Sequence, residues 1–228
     1  MRRIFRKAVG IFLTAVILLS TVTLTSCNRS YNEEEIVTVT ETLLKEAEML
    51  NKVYYGSGIR YYDSNEDNGY YRKADAYHLE ELGFSTIDEL KALTEKTFSD
   101  SYTAVLYSTV LSVLSDDTGI VRAARYYQAY DEETGEPTYI MVYSAFTPMF
   151  KDTIEYDYGS IRVEKAKKER VYVTVDATVT TSEGKSQLIT LTVNLIEEVD
   201  GWKIDNPTYA NYNELKDRYD ELKDQDIK

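Results

Sequence analysis

The chain contains one cysteine, Cys27, and one histidine, His78, so the side chains that most often carry nucleophilic or metal chemistry are scarce. A single thiol cannot close a disulfide within the chain, and these two residues cannot supply a zinc site of the His/Cys kind. A Ser-His-Asp triad would have to use His78, which lies in a stretch that we predict to be a loop. The sequence therefore indicates no catalytic residue and no metal site.

The N-terminus has the pattern of an export signal. Four basic residues in MRRIFRKAVG precede a run without charge that extends from Val9 to Cys27. A basic head followed by an apolar stretch is typical of a signal peptide. The apolar stretch is short for a bilayer span of about 20 apolar residues, and serines and threonines interrupt it. We therefore expect a cleaved signal over residues 1–26.

The position of Cys27 explains the lone thiol. Leu24-Thr25-Ser26-Cys27 resembles the lipobox of bacterial lipoproteins, in which a branched apolar residue and two small residues precede a cysteine. That resemblance implies lipidation of Cys27, because the family's cysteine sulfur receives a diacylglyceryl group and the signal is cut just before it. Two acyl chains hold a protein stably at a membrane where one does not. The implied location is extracytoplasmic, on a bacterial cell membrane; inner and outer membranes both remain open.

The chain is strongly acidic. It has 26 basic and 39 acidic residues, and loss of the four basic residues of the signal leaves a net charge of −17. Such a charge disfavours nucleic acid as a partner and favours a solvated surface or a basic partner.

The first half of the chain after a short tether (residues 27–32) has helical spacing. Apolar residues recur at helical intervals from Glu33 to Tyr55, and three glutamates occupy the first turn. Thr86 and Glu89 have the spacing of a capping box for a second helix. A third helix is predicted over residues 100–114, with one apolar side made of Val105, Leu106, Val110, Val113 and Leu114.

From Gly119 the apolar period changes to two, which indicates strands. IVRAARYYQAY and YIMVYSAF flank DEETGEP as a hairpin, and TIEYDYGSIRVEKAKKERV predicts one or two further strands. Apolar residues alternate with polar ones over residues 171–179 and 189–195, and Asp200-Gly201 is a hairpin turn. The polar tail, residues 210–228, has one narrow apolar stripe and is predicted to be a helix.

These elements predict an α+β fold. N-terminal helices would pack on a curved antiparallel sheet or barrel, followed by a C-terminal polar helix. We expect one domain over residues 33–209, with a helical half (33–115) and a β half (119–209).

Two family resemblances follow from this layout. Helices followed by a meander ending in VDGWKIDNPTY resemble the NTF2-like superfamily, whose curved sheet wraps around N-terminal helices. Gly83 to Lys91 (GFSTIDELK), Phe98-Ser99 and the closing Trp202 and Pro207-Thr208-Tyr209 resemble secreted proteins of the DL-endopeptidase inhibitor (IseA-type) family. The second resemblance implies a protein that blocks cell-wall hydrolases.

Tyrosine is the most conspicuous candidate for binding, with 21 residues against six phenylalanines and one tryptophan. Many tyrosines surround the acidic stretch DSNEDNG, and tyrosine offers rigid apolar area with a polar tip. The oxygen-bearing residues of this stretch alternate as calcium loops require, but Asn68 and Ala74 stand where such a loop needs Gly and Glu, so we expect a solvated turn. The candidate partner-binding residues are Tyr61, Tyr62, Asp63, Glu66, Asp67, Tyr70 and Tyr71.

The sequence as a whole predicts a non-catalytic, lipid-anchored extracytoplasmic binding protein without a cofactor. Its acidic, tyrosine-rich surface would restrain a cell-wall hydrolase or bind another envelope protein. The alternative is an NTF2-like small-molecule pocket or enzyme. The apolar faces of strands 171–179 and 189–195 carry no ionisable group, which disfavours an enzyme with a buried carboxylate there.

Overall fold

The computed structural model describes residues 31–62, 69–116, 119–148, 153–167, 169–181 and 183–208. The signal, Cys27 and the tail predicted as a helix lie outside these residues. All contacts reported below lie within one compact unit that begins at Glu33.

The described elements are helices followed by strands. The helices are α1 (Glu33–Tyr54), α2 (Ala76–Leu82), α3 (Ile87–Thr97) and α4 (Asp100–Leu106), which continues as a π-helix over Tyr107–Leu111. The strands are β1 (Tyr71–Lys73), β2 (Leu114–Asp116), β3 (Gly119–Arg122), β4 (Tyr126–Tyr130), β5 (Pro137–Tyr143), β6 (Thr153–Lys167), β7 (Arg170–Thr180), β8 (Ser186–Glu198) and β9 (Gly201–Ile204). The predicted α+β class is confirmed.

Helix α1 confirms the helical spacing of its apolar residues. Leu43, Leu44, Ala47 and Leu50 are buried, because residues three and four apart share one side of a helix. On the exposed side, Lys45 pairs with Glu41 one turn away. Exposed pairs of this kind contribute only about 0.3–0.5 kcal/mol, so burial of the apolar stripe holds the helix in place.

Helix α3 begins at the predicted capping box. The Thr86 hydroxyl accepts a hydrogen bond from the Glu89 backbone N–H, and the Glu89 carboxylate accepts one from the Thr86 backbone N–H. The helix is joined to α1 in the core, where the Tyr54 and Thr94 hydroxyls lie 2.7 Å apart. Helices α1 and α3 are thus both predicted by patterns in the sequence.

The predicted helix over residues 100–114 is confirmed as far as Leu111, but it changes from α to π after Leu106 and ends three residues early. The α-helix ends at Leu106, and Val105 and Val113, assigned to the apolar side, are both 54% exposed. The Thr109 and Ser112 hydroxyls donate to the carbonyls of Val105 and Tyr107, and such side-chain bonds compete with the regular helical ladder. The chain continues as the π-helix over Tyr107–Leu111 and then forms strand β2.

The stretch around His78 is a helix, and its prediction as a loop is wrong. Helix α2 has an Asp75 N-cap whose carboxylate accepts from the Tyr77 backbone N–H, and Gly83 ends it in the left-handed conformation. Only one residue of this seven-residue helix, Leu79, is fully buried. Such a short helix shows no apolar periodicity, although its capping residues are present in the sequence.

Three long strands and the short β9 form one antiparallel sheet in the order β6-β7-β8-β9. The predicted alternation is confirmed, since the odd-numbered residues of β7 from Val171 to Val179 are all buried. Glu198 pairs with Gly201 at the predicted hairpin, where Gly201 adopts a φ of 129°. Strands β6 and β9 are the edges of this sheet within the described residues, so the sheet is open and the predicted alternative of a closed barrel is not adopted.

The segment between the helices and this sheet forms two smaller antiparallel sheets. Strands β4 and β5 form the predicted hairpin, and β1 joins them in the order β1-β5-β4. Strands β2 and β3 pair with each other, an arrangement that was not predicted. No helix of the described residues is long and apolar enough to cross a membrane.

Candidate functional site

The outward side of the three-stranded sheet carries a cluster of tyrosines. Tyr71 lies opposite Tyr143, while Lys73 and Tyr127 both lie opposite Met141. Directly opposed residues share a face, and residues two apart along a strand do so as well. We call this side of the sheet the tyrosine face; Met141 is its buried member, and the half-buried or exposed members are Tyr71, Lys73, Tyr127, Tyr139 and Tyr143.

The other side of the same sheet faces the core. Ile140 and Val142 of β5 and Tyr126 of β4 are buried. Helix α3 packs against β4 from this side, where the Gln128 side chain accepts a hydrogen bond of 3.0 Å from the Ile87 backbone N–H. The sheet is therefore supported from behind, and the tyrosine face rests on a packed layer.

Edge-to-face contacts hold the tyrosine rings in place. The Tyr71 ring centroid lies 4.8 Å from that of Tyr127 in a T-shaped arrangement and 5.3 Å from that of Tyr143. Tyr70, just before β1 and 68% exposed, adds an edge contact to Tyr143 at 6.0 Å. Aromatic pairs in such geometry each contribute about 0.5–1.5 kcal/mol beyond their buried area. The surface is thus preorganised before any partner arrives.

A cation lies at the far side of the face. The Lys73 ammonium lies 4.4 Å from the centroid of the Tyr139 ring, a distance at which cation–π attraction operates. Tyr139 is 39% exposed, so the pair is accessible. The tyrosine face therefore offers aromatic area, phenolic hydroxyls and one positive charge side by side.

The predicted partner-binding residues divide into three groups. Tyr70 and Tyr71 lie at the tyrosine face. Tyr61 and Tyr62 lie beside it, since Tyr61 bridges to Ala74 and the Tyr62 backbone N–H donates to the carbonyl of Lys73. Asp63, Glu66 and Asp67 lie outside the described residues.

Two of the predicted tyrosines have structural partners. The Tyr71 hydroxyl donates 2.7 Å to the carbonyl of Ala124, and burial raises the pKa of this phenol. The Tyr62 hydroxyl donates 2.8 Å to Asp75 Oδ1, which raises the pKa of Tyr62 and lowers that of Asp75. Both phenols remain neutral at physiological pH and act as hydrogen-bond donors.

Of the six members of the tyrosine face, sequence reasoning identified only Tyr71. Tyr127, Tyr139 and Tyr143 come from the β4–β5 hairpin, more than 50 residues after β1. Their alternate spacing in YYQAY and PTYIMVY was visible, but nothing in the sequence showed that β1 would pair with β5 and bring Tyr71 beside them.

The single histidine, His78, is engaged in holding the fold. His78 Nδ1 accepts a hydrogen bond of 2.8 Å from the Arg60 backbone N–H, and burial lowers the pKa of this imidazole. No group of three or more His, Cys, Asp or Glu side chains in the described ranges could hold a metal ion.

One cluster contains serines beside a carboxylate. Asp205 accepts hydrogen bonds from the Ser99 and Ser101 hydroxyls and from the Arg170 guanidinium. Burial alone raises the pKa of Asp205, but these donors outweigh it and lower the pKa overall. Because the Asp205 carboxylate already accepts these three hydrogen bonds, it stabilises the fold and is poorly suited to accept a proton from a substrate.

Neither a protein-family model nor a curated protein sequence matches this chain.

Proposed function

We propose that this chain is a lipid-anchored binding protein of the bacterial cell envelope, without catalytic activity, and that the tyrosine face is its recognition surface. The observation that carries this proposal is the set of packed tyrosine rings on one side of the β1-β5-β4 sheet. Tyrosine and tryptophan side chains supply much of the binding energy at protein interfaces, because they bury large area at low entropic cost.

The anchor in this proposal is Cys27. The basic head, the short apolar run and Leu24-Thr25-Ser26-Cys27 together support export and acylation. Two acyl chains would hold the mature domain at the outer surface of the membrane. The tether of residues 27–32 would then separate the lipid from the domain that begins at Glu33.

The partner in this proposal is a protein with a basic surface, such as a cell-wall hydrolase with a positively charged substrate groove. The mature chain carries a net charge of −17, which attracts such a partner and accelerates the encounter. The resemblance to the IseA-type inhibitors supports the same partner class. In this arrangement the acidic surroundings attract the hydrolase and the tyrosine face supplies the close contact.

A capture experiment tests this function. Residues 28–228 would be immobilised and exposed to an envelope extract, and captured proteins would be added to a cell-wall digestion assay with and without the domain. We expect a captured hydrolase whose digestion rate falls in the presence of the domain. Failure to capture any envelope protein, together with an unchanged digestion rate, would refute the proposal.

A double substitution locates the binding surface. Tyr70→Ser with Tyr139→Ser removes exposed rings from the tyrosine face and its edge, whereas Tyr77→Ser removes a 76% exposed ring from α2. We expect the double variant to bind the captured partner at least about tenfold more weakly, since hot-spot tyrosines contribute more than 1 kcal/mol each. The Tyr77 variant should bind as the wild type does. Equal binding by the wild type, the double variant and the Tyr77 variant would mean that the recognition surface lies elsewhere.

The NTF2-like alternative predicts a different result. Its ligand would lie against the inward faces of β7 and β8, where Val173, Val175 and Val193 are buried and apolar. A small apolar ligand that raises the melting temperature, in a domain that captures no protein, would favour this alternative.

A further inference from the structure

Arg125 is a buried cation between the helices and the three-stranded sheet. The residue is only 3% exposed and lies just before β4. Its backbone N–H donates to the carbonyl of Val110, and its carbonyl accepts from the Tyr143 backbone N–H, both at 2.8 Å. The backbone is thus fixed on both sides, and the side chain starts from a defined position.

The guanidinium is held by a backbone carbonyl and two aromatic rings. Nη2 donates 2.8 Å to the carbonyl of Gly56, in the turn that follows α1. The guanidinium carbon lies 3.9 Å from the centroid of the Phe146 ring and 5.3 Å from that of Tyr126. Rings that cover a guanidinium leave its N–H groups directed outward in the plane, where an acceptor would have to lie.

Two nitrogens of this guanidinium lack an acceptor. Nε and Nη1 are buried and make no hydrogen bond, and no carboxylate among the described residues forms an ion pair with Arg125. Burial lowers the pKa of Arg125, but an arginine remains charged in proteins. The neighbouring Tyr126 is not its counter-ion, because burial raises the pKa of this phenol to about 12.

The surrounding backbone is shaped around this side chain. Gly58 has a φ of 78°, and a Cβ at this position would collide with the Arg125 guanidinium. The Tyr126 hydroxyl donates 2.6 Å to the carbonyl of Val53, and it accepts from the Ile59 backbone N–H at 3.2 Å. The turn after α1 therefore encloses the guanidinium and keeps it at one place.

We infer that Arg125 is the recognition group of an anion site, and that its free Nε and Nη1 donors bind the oxygens of a carboxylate or a phosphate. A buried charge without a counter-ion is strongly unfavourable, and a bound oxyanion both neutralises the guanidinium and accepts its hydrogen bonds. Phe146 covers the guanidinium face, so the ligand lies at the edge in its plane. This site is separate from the tyrosine face, and it goes beyond the proposed function.

Nuclear magnetic resonance on the full chain, in a non-ionic detergent, tests the site directly. The ¹⁵N–¹H signal of Arg125 Nε would be followed during titration with sodium phosphate and, separately, with sodium acetate, at constant ionic strength kept with sodium chloride. We expect a saturable shift of this signal with at least one of the two anions. The anion that saturates at the lower concentration distinguishes a phosphate site from a carboxylate site.

A matched pair of variants separates specific binding from a general salt effect. Arg125→Met removes the buried donors, whereas Arg60→Met removes an arginine that is exposed and paired with Glu81. At an anion concentration ten times its dissociation constant, the ratio of folded to unfolded protein should rise about 11-fold. We expect this rise in the wild type and in the Arg60 variant. The Arg125 variant should show no such increase.

Two outcomes would overturn the inference. If neither anion shifts the Arg125 Nε signal in the wild-type chain, the guanidinium binds no oxyanion; this measurement does not depend on whether a variant folds. If the Arg125 and Arg60 variants gain equal stability from the anion, the ions act elsewhere on the protein. Neither outcome bears on capture of a hydrolase, so the proposed function is tested independently.

Discussion

The Ser99 hydroxyl donates a hydrogen bond of 2.5 Å to Asp205 Oδ1, across 106 positions of the chain. The same oxygen accepts from Ser101, and Asp205 Oδ2 accepts from the Arg170 guanidinium at 2.6 Å. Ser99 caps α4, Arg170 begins β7, and Asp205 follows β9. One carboxylate therefore joins the start of α4 to two strands of the large sheet, β7 and β9.

Ser99→Ala should destabilise the domain by about 1–3 kcal/mol. The variant removes the N-cap of α4, because Ser99 Oγ accepts from the Tyr102 backbone N–H, and it also removes a donor from the half-buried Asp205 carboxylate. Urea denaturation followed by circular dichroism gives the free energy of unfolding. Thr38→Ala, on the exposed side of α1, is the control and should change it by less than about 0.5 kcal/mol. Equal losses in the two variants would contradict the role assigned to Ser99.

Gly58→Ala should cost far more than Gly83→Ala. Both glycines adopt left-handed conformations, with φ of 78° and 80°, so the backbone strain of about 1 kcal/mol is common to the two variants. A Cβ at Gly83 meets nothing within 4 Å, whereas at Gly58 it collides with the Arg125 guanidinium and lies 2.7 Å from the Tyr126 hydroxyl.

We expect a loss of about 3 kcal/mol or more for Gly58→Ala and about 1 kcal/mol for Gly83→Ala, measured as free energies of unfolding in urea. Losses of the same size would mean that the turn after α1 can move away from Arg125, and the enclosed position of this guanidinium would have to be abandoned.

His78 should make stability fall as the pH drops below about 6.5, the ordinary pKa of histidine. Burial, followed by the charge of Arg60, lowers the pKa of the folded imidazole below its ordinary value of 6.5. As the pH falls, His78 therefore binds a proton in the unfolded chain at a higher pH than in the folded chain. The stability contributed by the neutral imidazole is complete above pH 6.5 and is lost as the pH falls through the folded pKa.

The matched variant is His78→Asn, because the amide oxygen can accept from the Arg60 backbone N–H as Nδ1 does. The wild type should lose more stability than this variant between pH 7.5 and pH 5. Since the chain has one histidine, the imidazole NMR signals give its pKa without ambiguity. A folded pKa above 6.5 would reverse the sign and refute this prediction.

A helix or strand can be predicted from the sequence when several of its residues repeat the same apolar pattern. The alternation from Val171 to Val179 predicts strand β7 and its buried side, because one face of the sheet must be apolar along its whole length. Helix α2 buries only Leu79 in full and offers no comparable repeat. Its N-cap Asp75 and terminal Gly83 are single residues, and such residues occur as often in turns.

The site is harder to predict, because its residues come together only by strand pairing. Tyr70 and Tyr71 were expected from local tyrosine density, whereas Tyr143 depends on the pairing of β1 with β5. In the sequence, Arg125 is one residue of the alternating stretch IVRAARYYQAY. None of its neighbours in the sequence indicates that its charge is buried. Its environment is supplied by Gly56, Phe146 and Val110, which are distant in the chain.

Cys27→Ser should release the protein from the membrane. Without the thiol no thioether to diacylglycerol can form, and the mature domain would lose the two acyl chains that hold it, each contributing about 0.8 kcal/mol per buried methylene. Mass spectrometry of the protein isolated from bacterial membranes should show a chain that begins at Cys27 and carries the lipid mass. Ser26→Ala, which keeps a small residue before the cysteine, is the control and should remain acylated and sediment with membranes. An intact Met1 or an unmodified Cys27 sulfur in the wild-type protein would remove the anchor from the proposed function.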